Sequence, residues 1–341
     1  MIRFCWPLLL GACASTAPSL QETLDARGVS MSALFAPPSD AELQEVSNDW
    51  ASRSFPPTNV SVVFEAEAAD GRIARVIAHT VDGHRHYGVV MAPADDVPAP
   101  VGGFPVVLSF IGFGPPYEAR FDPNQAGEND VAVVSLFPSF RGHTLVIGEQ
   151  RWPSEGDAFD QCDGGTDDAI AFFNAALSLT PRASEASVAT VGGSRGGNVA
   201  MLFAIRDSRV RRAVSFAGPD DYLREDYLDH PNLTILYERW FVADLASPAD
   251  IGEARRRMLA CSPRYFVDRL PRVQLHHGDA DAAVPPGVMA RMRAAWLNAG
   301  REPEELETWV YEGEDHSFGA SVPLLQTRIA DFLLPLVAPD A

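Results

Sequence analysis

The chain has 341 residues, of which 46% are hydrophobic, and a formal net charge of −19 at pH 7. This length and composition suit one α/β domain with insertions, or two small domains, and the acidity argues against a nucleic-acid partner, which needs a basic surface. All 27 basic residues are arginines, which excludes sites that depend on lysine, namely a Walker-A phosphate loop, a pyridoxal Schiff base and a Ser-Lys dyad.

The N-terminus has the features of an export signal. One arginine and a short apolar run lead into Leu10-Gly11-Ala12-Cys13, a pattern similar to a bacterial lipoprotein signal. The run is too short to span a bilayer, whereas a lipid on Cys13 would anchor the chain. We therefore expect residues 1–12 to be a removed signal peptide and the mature protein to be exported, lipid-anchored in the bacterial periplasm or outer membrane. An ordinary secretion signal, cut near Ala14-Ser15, is the alternative.

Residues 13–57 are predicted to be a tether followed by a helix near Ala41–Trp50, and residues 58–341 to be the main domain. The main domain begins with alternating patterns that predict antiparallel strands. These strands are Val60–Phe64, Ile73–Ala78 and His86–Met91. His84 and His86 are expected to be exposed turn residues, because no further metal ligands are evident beside them.

Apolar runs then alternate with a helical pattern, which is typical of a mostly parallel, doubly wound sheet with helices on both faces. The runs are Val106–Phe110, Val131–Leu136, Val188–Val191 and Val214–Gly218, and a helix is predicted over Asp167–Leu179.

The segment Gly192–Gly197 reads G-x-S-x-G between the run Val188–Val191 and a helical pattern. This strand–turn–helix context is the one that a nucleophile elbow requires, with Ser194 on the sharp turn. An elbow serine needs a histidine base and an orienting carboxylate.

Two downstream loops carry these residue types in the order acid, then histidine. The first follows the short strand Val273–His277 and contains Asp279 and Asp281; the second follows Thr308–Tyr311 and ends in His316. Both loops begin where a strand ends, which is where open α/β sheets build their sites.

Together these motifs resemble the catalytic domain of the prolyl oligopeptidase family. The matching sequences are G-G-S-R-G-G at the elbow, H-G-x-x-D ending at Asp281, E-G-x-x-H ending at His316, and residues 262–270. The resemblance implies an α/β-hydrolase with Ser194 as nucleophile, His316 as general base and then acid, and Asp281 as the orienting acid. It implies neither a metal nor an organic cofactor. Asp279 is a competing acid, and Asp315 a less favoured one.

The expected oxyanion loop follows the strand Val106–Phe110 and contains Phe113. Several peptidase relatives use a tyrosine hydroxyl here, and a phenyl ring cannot donate a hydrogen bond. We therefore expect the backbone N–H groups of Phe113 and Arg195 to form the oxyanion hole, which is similar to the acetyl xylan esterase-like branch of this fold.

Residues 219–261 interrupt the strand–helix alternation with aromatic, acidic and proline residues. We expect a helical cap insertion over the site, with Tyr222 and Trp240 lining a substrate pocket; a surface excursion is the alternative. The Arg195 side chain is a candidate for binding a substrate carboxylate, although a salt bridge to a nearby aspartate fits equally well. Cys162 and Cys261 are predicted either to pair or to remain separate buried thiols.

The resemblance implies a serine hydrolase that cleaves a peptide or a carboxylic ester through an acyl-enzyme on Ser194. A carboxylesterase or deacetylase of small or sugar esters is the alternative, favoured by Phe113 and by the few residues that precede the core, too few for the β-propeller of many relatives. A catalytically silent binding protein is the least favoured hypothesis, since all three triad residue types are present. The expected partner is a small ester or short peptide, with membrane contact only through the lipid; the oligomeric state is left open.

Overall fold

The computed structural model describes residues 19–94, 96–124 and 133–337, so the predicted signal segment and Cys13 lie outside the described residues. Twelve strands are present in these ranges. In chain order they are β1 (Ser61–Glu67), β2 (Ile73–Val81), β3 (His84–Ala92), β4 (Phe104–Phe110), β5 (Glu118–Arg120), β6 (Val134–Pro138), β7 (Thr144–Ile147), β8 (Gln150–Pro153), β9 (Ala183–Gly193), β10 (Val210–Phe216), β11 (Arg272–Gly278) and β12 (Leu306–Tyr311).

Nine of the described strands form one sheet in the order β1-β2-β3-β6-β4-β9-β10-β11-β12, and β5, β7 and β8 form a small second sheet. Strands β1, β2, β3 and β6 pair antiparallel, whereas every pair from β6 to β12 is parallel. The antiparallel leading strands and the mostly parallel sheet are thus confirmed. The second sheet was not predicted, because its strands are only three or four residues long.

The described helices surround this sheet. They are α1 (Leu20–Ala26), α2 (Met31–Leu34), α3 (Asp40–Ser52), α4 (Asp163–Leu179), α5 (Arg195–Arg206), α6 (Pro231–Leu236), α7 (Ile251–Ala260), α8 (Val288–Asn298) and α9 (Val322–Val337). The consecutive β9 residues Val188, Ala189 and Thr190 are fully buried, so both faces of the central strand are covered. None of these helices has the length and apolar character needed to cross a membrane.

The N-terminal segment holds three helices where one was predicted. The predicted helix is α3, whose first turn is fixed by a capping box between Ser39 and Glu42. The N-caps of α1 and α2 are Ser19 and Ser30, but these two helices are too short to give a periodic hydrophobic pattern.

Arginine side chains, Arg27 and Arg255 among them, join the N-terminal helices to the insertion. Arg27, at the end of α1, donates to the carbonyl oxygens of Val242 and Leu245, at 3.2 and 2.7 Å. Arg255 of α7 donates to four carbonyl oxygens in and just after α2 and to Glu42 of α3, at 2.6 to 3.5 Å. The N-terminal segment is therefore packed against the rest of the chain.

His86 was predicted to be an exposed turn residue, and this is wrong. Strand β3 begins at His84, so His86 lies within the sheet, opposite His79 of β2. Both rings are about 2% exposed, and the ring of His79 packs 5.7 Å from that of Phe172 of α4. Side chains alternate between the two faces along a strand, and His86 is on the face that α4 covers. The turn residues beside it give no sign of this burial.

Burial of His79 makes the stability of the fold depend on pH. Burial, together with the neighbouring His86, lowers the pKa of His79 to about 4, whereas an unfolded histidine titrates near pH 6.5. Between these values the unfolded chain binds the proton more tightly, so the free energy of unfolding rises with pH and falls on acidification. The contribution of His79 is complete above about pH 6.5, and at pH 5 about 2 kcal/mol of it is lost.

The variant His79→Phe should reduce, by about that amount, the difference between the free energies of unfolding at pH 7 and pH 5. Urea unfolding at the two pH values measures this difference. His84→Gln is the matched control, because His84 is exposed on the same hairpin. An unchanged pH difference in His79→Phe would contradict the prediction.

Candidate active site

Ser194 lies between β9 and α5 with backbone angles φ 54° and ψ −128°, a strained conformation for a residue with a side chain. A Cβ on Gly192 would overlap the carbonyl of Gly196, and one on Gly196 would overlap the carbonyl of Phe110. Only glycines therefore allow the turn to close against β4. The Ser194 N–H donates to the carbonyl oxygen of Phe216 at 2.8 Å, which fixes the turn to β10.

The register of the parallel strands brings the three predicted triad loops to one edge of the sheet. Gly193 of β9 lies beside Phe216 of β10, which lies beside His276 of β11. Gly278, at the end of β11, lies beside Tyr311, at the end of β12. The chain segments that follow β9, β11 and β12 therefore leave the sheet side by side, and these segments carry Ser194, Asp281 and His316.

Asp281 and His316 are hydrogen-bonded, with 2.8 Å between Asp281 Oδ2 and His316 Nδ1. The other carboxylate oxygen, Oδ1, accepts from the backbone N–H groups of Ala283 and Val284, both at 2.9 Å. A proton on Nδ1 that faces the carboxylate leaves Nε2 of His316 with its lone pair, which is the form that a general base needs.

His277 is a further neighbour of the acid that the sequence analysis did not single out. Its Nε2 lies 3.2 Å from Asp281 Oδ2 and 2.9 Å from the carbonyl oxygen of Val284. Burial acts to raise the pKa of Asp281, but hydrogen bonds from His277 and His316 outweigh it and hold the pKa well below its usual range. The carboxylate therefore stays ionised at neutral pH. The H-G-x-x-D spacing was the signal that could have identified His277.

The two competing acids bind elsewhere. Asp279 Oδ1 accepts from the backbone N–H of Gly313 at 2.7 Å, and Asp315 Oδ1 accepts from the backbone and hydroxyl of Ser317. Each carboxylate fixes a turn. In the part of the chain that the structure describes, Asp281 is the carboxylate in hydrogen-bond contact with His316.

The loop after β4 runs directly beside Ser194. The position of a Cβ on Gly112 would be 3.6 Å from the Cβ of Ser194, and Phe113 is the next residue. Arg195 is the first residue of α5, a position whose N–H has no carbonyl partner within a helix. The structure thus places both predicted oxyanion donors next to Ser194, and their role stays a prediction.

The Arg195 side chain makes neither of the contacts considered from the sequence. It is 3% exposed, and its guanidinium donates to the carbonyl oxygens of Ile111 and Gly112 rather than to a carboxylate. The group lies over the ring of Phe140, 4.2 Å from its centroid. The N-terminus of α5 packs below the β4 loop, so the Arg195 side chain contacts this loop and not solvent. Burial lowers the pKa of Arg195 to about 9, so the group stays charged at neutral pH.

The structure does not bring Tyr222 or Trp240 to the triad. Tyr222 is 1% exposed and packs within the insertion, 5.2 Å from the ring of Phe241. Trp240 lines a separate cleft of about 580 Å³, whose walls include Asp160 and Asp163 but no triad residue. Both aromatic rings serve packing within the insertion, and a sequence reading cannot tell such rings from pocket residues.

Aromatic residues that the sequence analysis missed lie next to the β4 loop instead. The ring of Phe113 packs 5.2 Å from that of Tyr117 and 5.8 Å from that of Phe159. Arg239 of the insertion lies over Phe159, 4.9 Å from its centroid. This contact links the insertion to the aromatic residues beside the β4 loop.

Cys162 and Cys261 are free, buried thiols in this structure. Among the described residues, no group of histidine, cysteine, aspartate and glutamate side chains is arranged to hold a metal ion.

Comparisons with known proteins agree on one fold. The sequence profile of the prolyl oligopeptidase family matches residues 133–338, more than half of the chain, and no curated protein matches. A puromycin-hydrolysing peptidase of Mycobacterium tuberculosis is 21% identical with a TM-score of 0.58, over 78% of this chain and 40% of its own. This chain therefore spans about two fifths of that peptidase.

Acetyl xylan esterase 1 from Thermoanaerobacterium sp. JW/SL YS485 is 16% identical with a TM-score of 0.60, over 88% of this chain and 93% of its own. An acetyl xylan esterase from Paenibacillus sp. R4 is 14% identical with a TM-score of 0.57, over 89% and 98%. Likeness at this identity establishes a shared fold, and the predicted α/β-hydrolase is thereby confirmed.

Proposed function

Since this chain belongs to the prolyl oligopeptidase family and is therefore a serine hydrolase of the peptidase or esterase type, we propose that it works through an acyl-enzyme formed on Ser194. The observation that carries the proposal is the 2.8 Å hydrogen bond between Asp281 and His316, at the edge of the sheet where the Ser194 turn also lies. A hydrogen-bonded acid–histidine pair beside a strained serine turn is the arrangement that activates a serine.

The proposed steps use only groups of this chain, the substrate and water. Ser194 Oγ attacks the substrate carbonyl and transfers its proton to Nε2 of His316, while Asp281 stabilises the imidazolium. The N–H groups of Phe113 and Arg195 donate hydrogen bonds to the negative oxygen of the tetrahedral intermediate. His316 then gives the proton to the leaving alcohol or amine as its bond to the carbonyl carbon breaks. Water next attacks the acyl-enzyme and transfers a proton to His316. His316 returns this proton to Ser194 as the carboxylic acid leaves.

We propose small carboxylic esters or short peptides as substrates. Membership in a peptidase family supports the peptide. A carboxylesterase or deacetylase is the second candidate, and two observations favour it. Phe113 brings no hydroxyl to the oxyanion loop, and the fold also matches two acetyl xylan esterases, with TM-scores of 0.60 and 0.57.

The deciding experiment compares kcat/KM for the 4-nitrophenyl ester and the 4-nitroanilide of one acyl group. Clear turnover of the anilide would support a peptidase, because the site then protonates a poor leaving group. Turnover of the ester alone would support an esterase. Turnover of neither, together with no reaction with a serine-directed phosphonate, would overturn the proposal in favour of a silent binding protein.

The insertion at residues 219–261 is proposed to act as a cap, and the contact of Arg239 with Phe159 supports this. We also propose that the protein is exported and anchored by a lipid on Cys13, which only the N-terminal sequence supports. Metabolic labelling with a fatty-acid analogue tests the anchor. Equal labelling of Cys13→Ala would reject it.

A further inference from the structure

Arg195 follows the proposed nucleophile directly, yet its side chain points away from it into the protein. Nε and Nη2 lie 3.3 and 3.2 Å from the carbonyl oxygen of Ile111, and Nη2 lies 2.9 Å from that of Gly112. These carbonyls belong to the two residues that precede Phe113. One side chain therefore connects the start of α5 to the loop after β4.

The bond to Gly112 controls the direction of the proposed oxyanion donor. The carbonyl of Gly112 and the N–H of Phe113 belong to the same trans peptide, so they point in opposite directions. A donor that holds this carbonyl on the buried side fixes the N–H on the other side. A hydrogen bond to the carbonyl also polarises the peptide, so that its N–H becomes a stronger donor.

The charge of Arg195 interacts with the buried carboxylate of Asp168 only at a distance, because that carboxylate is bound to Arg141. The described residues place no carboxylate within ion-pair distance of it, and its Nη1 is a buried atom without a hydrogen-bond partner. A buried cation without a carboxylate lowers stability. Arrangements that lower stability in this way are found mainly at functional sites.

We propose that Arg195 is a positioning residue of the oxyanion hole. Its backbone N–H is one donor, and its guanidinium holds the Gly112–Phe113 peptide so that the second donor faces the developing oxyanion. The buried positive charge adds to the stabilisation of that oxyanion. This inference rests on the acyl-enzyme mechanism proposed above.

The test uses Arg195→Met, which removes charge and hydrogen bonds, and Arg195→Lys, which keeps the charge and reaches fewer carbonyls. Arg206→Met is the matched control, because Arg206 is a buried arginine at the other end of α5 that binds Asp163 and Asp167 instead. Three quantities are measured in each variant: kcat and KM for the ester, the melting temperature, and Ki for a trifluoromethyl ketone that carries the same acyl group. This ketone forms a tetrahedral adduct on a serine, so its affinity reports on the oxyanion hole.

We expect Arg195→Met to lower kcat by about 10²–10³-fold, the loss typical of one oxyanion donor. KM should change by less than about threefold, because the substrate ground state makes no such contact. Ki should rise in parallel with the loss of kcat/KM, as expected for a transition-state analogue, and Arg195→Lys should recover part of both. Arg206→Met should lower the melting temperature and leave kcat and Ki of the folded enzyme near wild type.

A kcat of Arg195→Met within about threefold of wild type, or a Ki that does not move while kcat falls, would overturn the inference. A loss that follows the melting temperature in the same way as in Arg206→Met would show a merely structural role and also overturn it. Failure of the proposed function looks different. In that case the wild-type protein itself would neither turn over the ester nor bind the ketone.

Discussion

Replacing Ser194 by alanine should lower kcat by about 10⁶-fold, to the rate that binding and the oxyanion donors alone support. Alanine has a Cβ like serine, so it meets the same backbone strain at φ 54° and should not alter the turn. The hydroxyl that forms the acyl-enzyme is the one group removed. The measurement is kcat for the ester, together with labelling by a serine-directed fluorophosphonate, which should mark the wild type and not the variant.

Ser215→Ala is the matched control for this result. Ser215 is a buried serine on β10 whose hydroxyl lies against the elbow glycine Gly197 and against Gly218, just after β10, but it has no place in the proposed mechanism. The Ser215→Ala variant should keep kcat within about threefold of wild type and should still react with the fluorophosphonate. Retention of turnover or of the label in Ser194→Ala would mean that another residue is the nucleophile.

The second large effect is expected for Asp281→Asn, at about 10⁴-fold in kcat. The oxygen of the new amide can still accept from the N–H groups of Ala283 and Val284, as Oδ1 does now. Its NH₂ group then faces Nδ1 of His316, which must act as the acceptor. The proton moves to Nε2, so the ring is left in the tautomer that cannot take a proton from serine.

The measurement is kcat/KM for the ester, with urea unfolding to show that the variant is folded. Asp279→Asn is the control, because Asp279 accepts one N–H from the same pair of loops without contacting the triad histidine. Its effect on kcat should stay below about tenfold. If Asp279→Asn had the larger effect, the assignment of the orienting acid would be wrong.

The residues that the sequence placed correctly are those whose position follows from local geometry. A serine between a strand and a helix, flanked by glycines, can only be on the turn, and an acid or histidine just beyond a parallel strand must be at the carboxyl edge of the sheet. Asp281 and His316 lie close together because β11 and β12 are neighbours in the sheet. The resemblance to the family implied this order of strands. Which of Asp279 and Asp281 binds the turn and which binds His316 depends on the path of the loop, because the two acids are only two residues apart.

The orientations of long or aromatic side chains could not be predicted. Whether Arg195 turns to the substrate or beneath the loop depends on how α5 packs against β4, a contact between residues far apart in sequence. The sequence predicts Tyr222 and Trp240 as pocket residues, but aromatic rings suit both pockets and cores. His86 was misplaced because the bounds of its strand decide its face, and a shift of one residue reverses it.

The arginines that join the N-terminal helices to the insertion determine where the protein can be shortened. A truncated protein that began at residue 58 would leave Arg255 without its four carbonyl acceptors and without Glu42. Trp50 would no longer donate to Asp163 at the start of α4, a bond of 2.9 Å. A piece that folds on its own should therefore begin no later than Ser19, so a protein made for crystallisation or for enzyme assays should retain the first three helices.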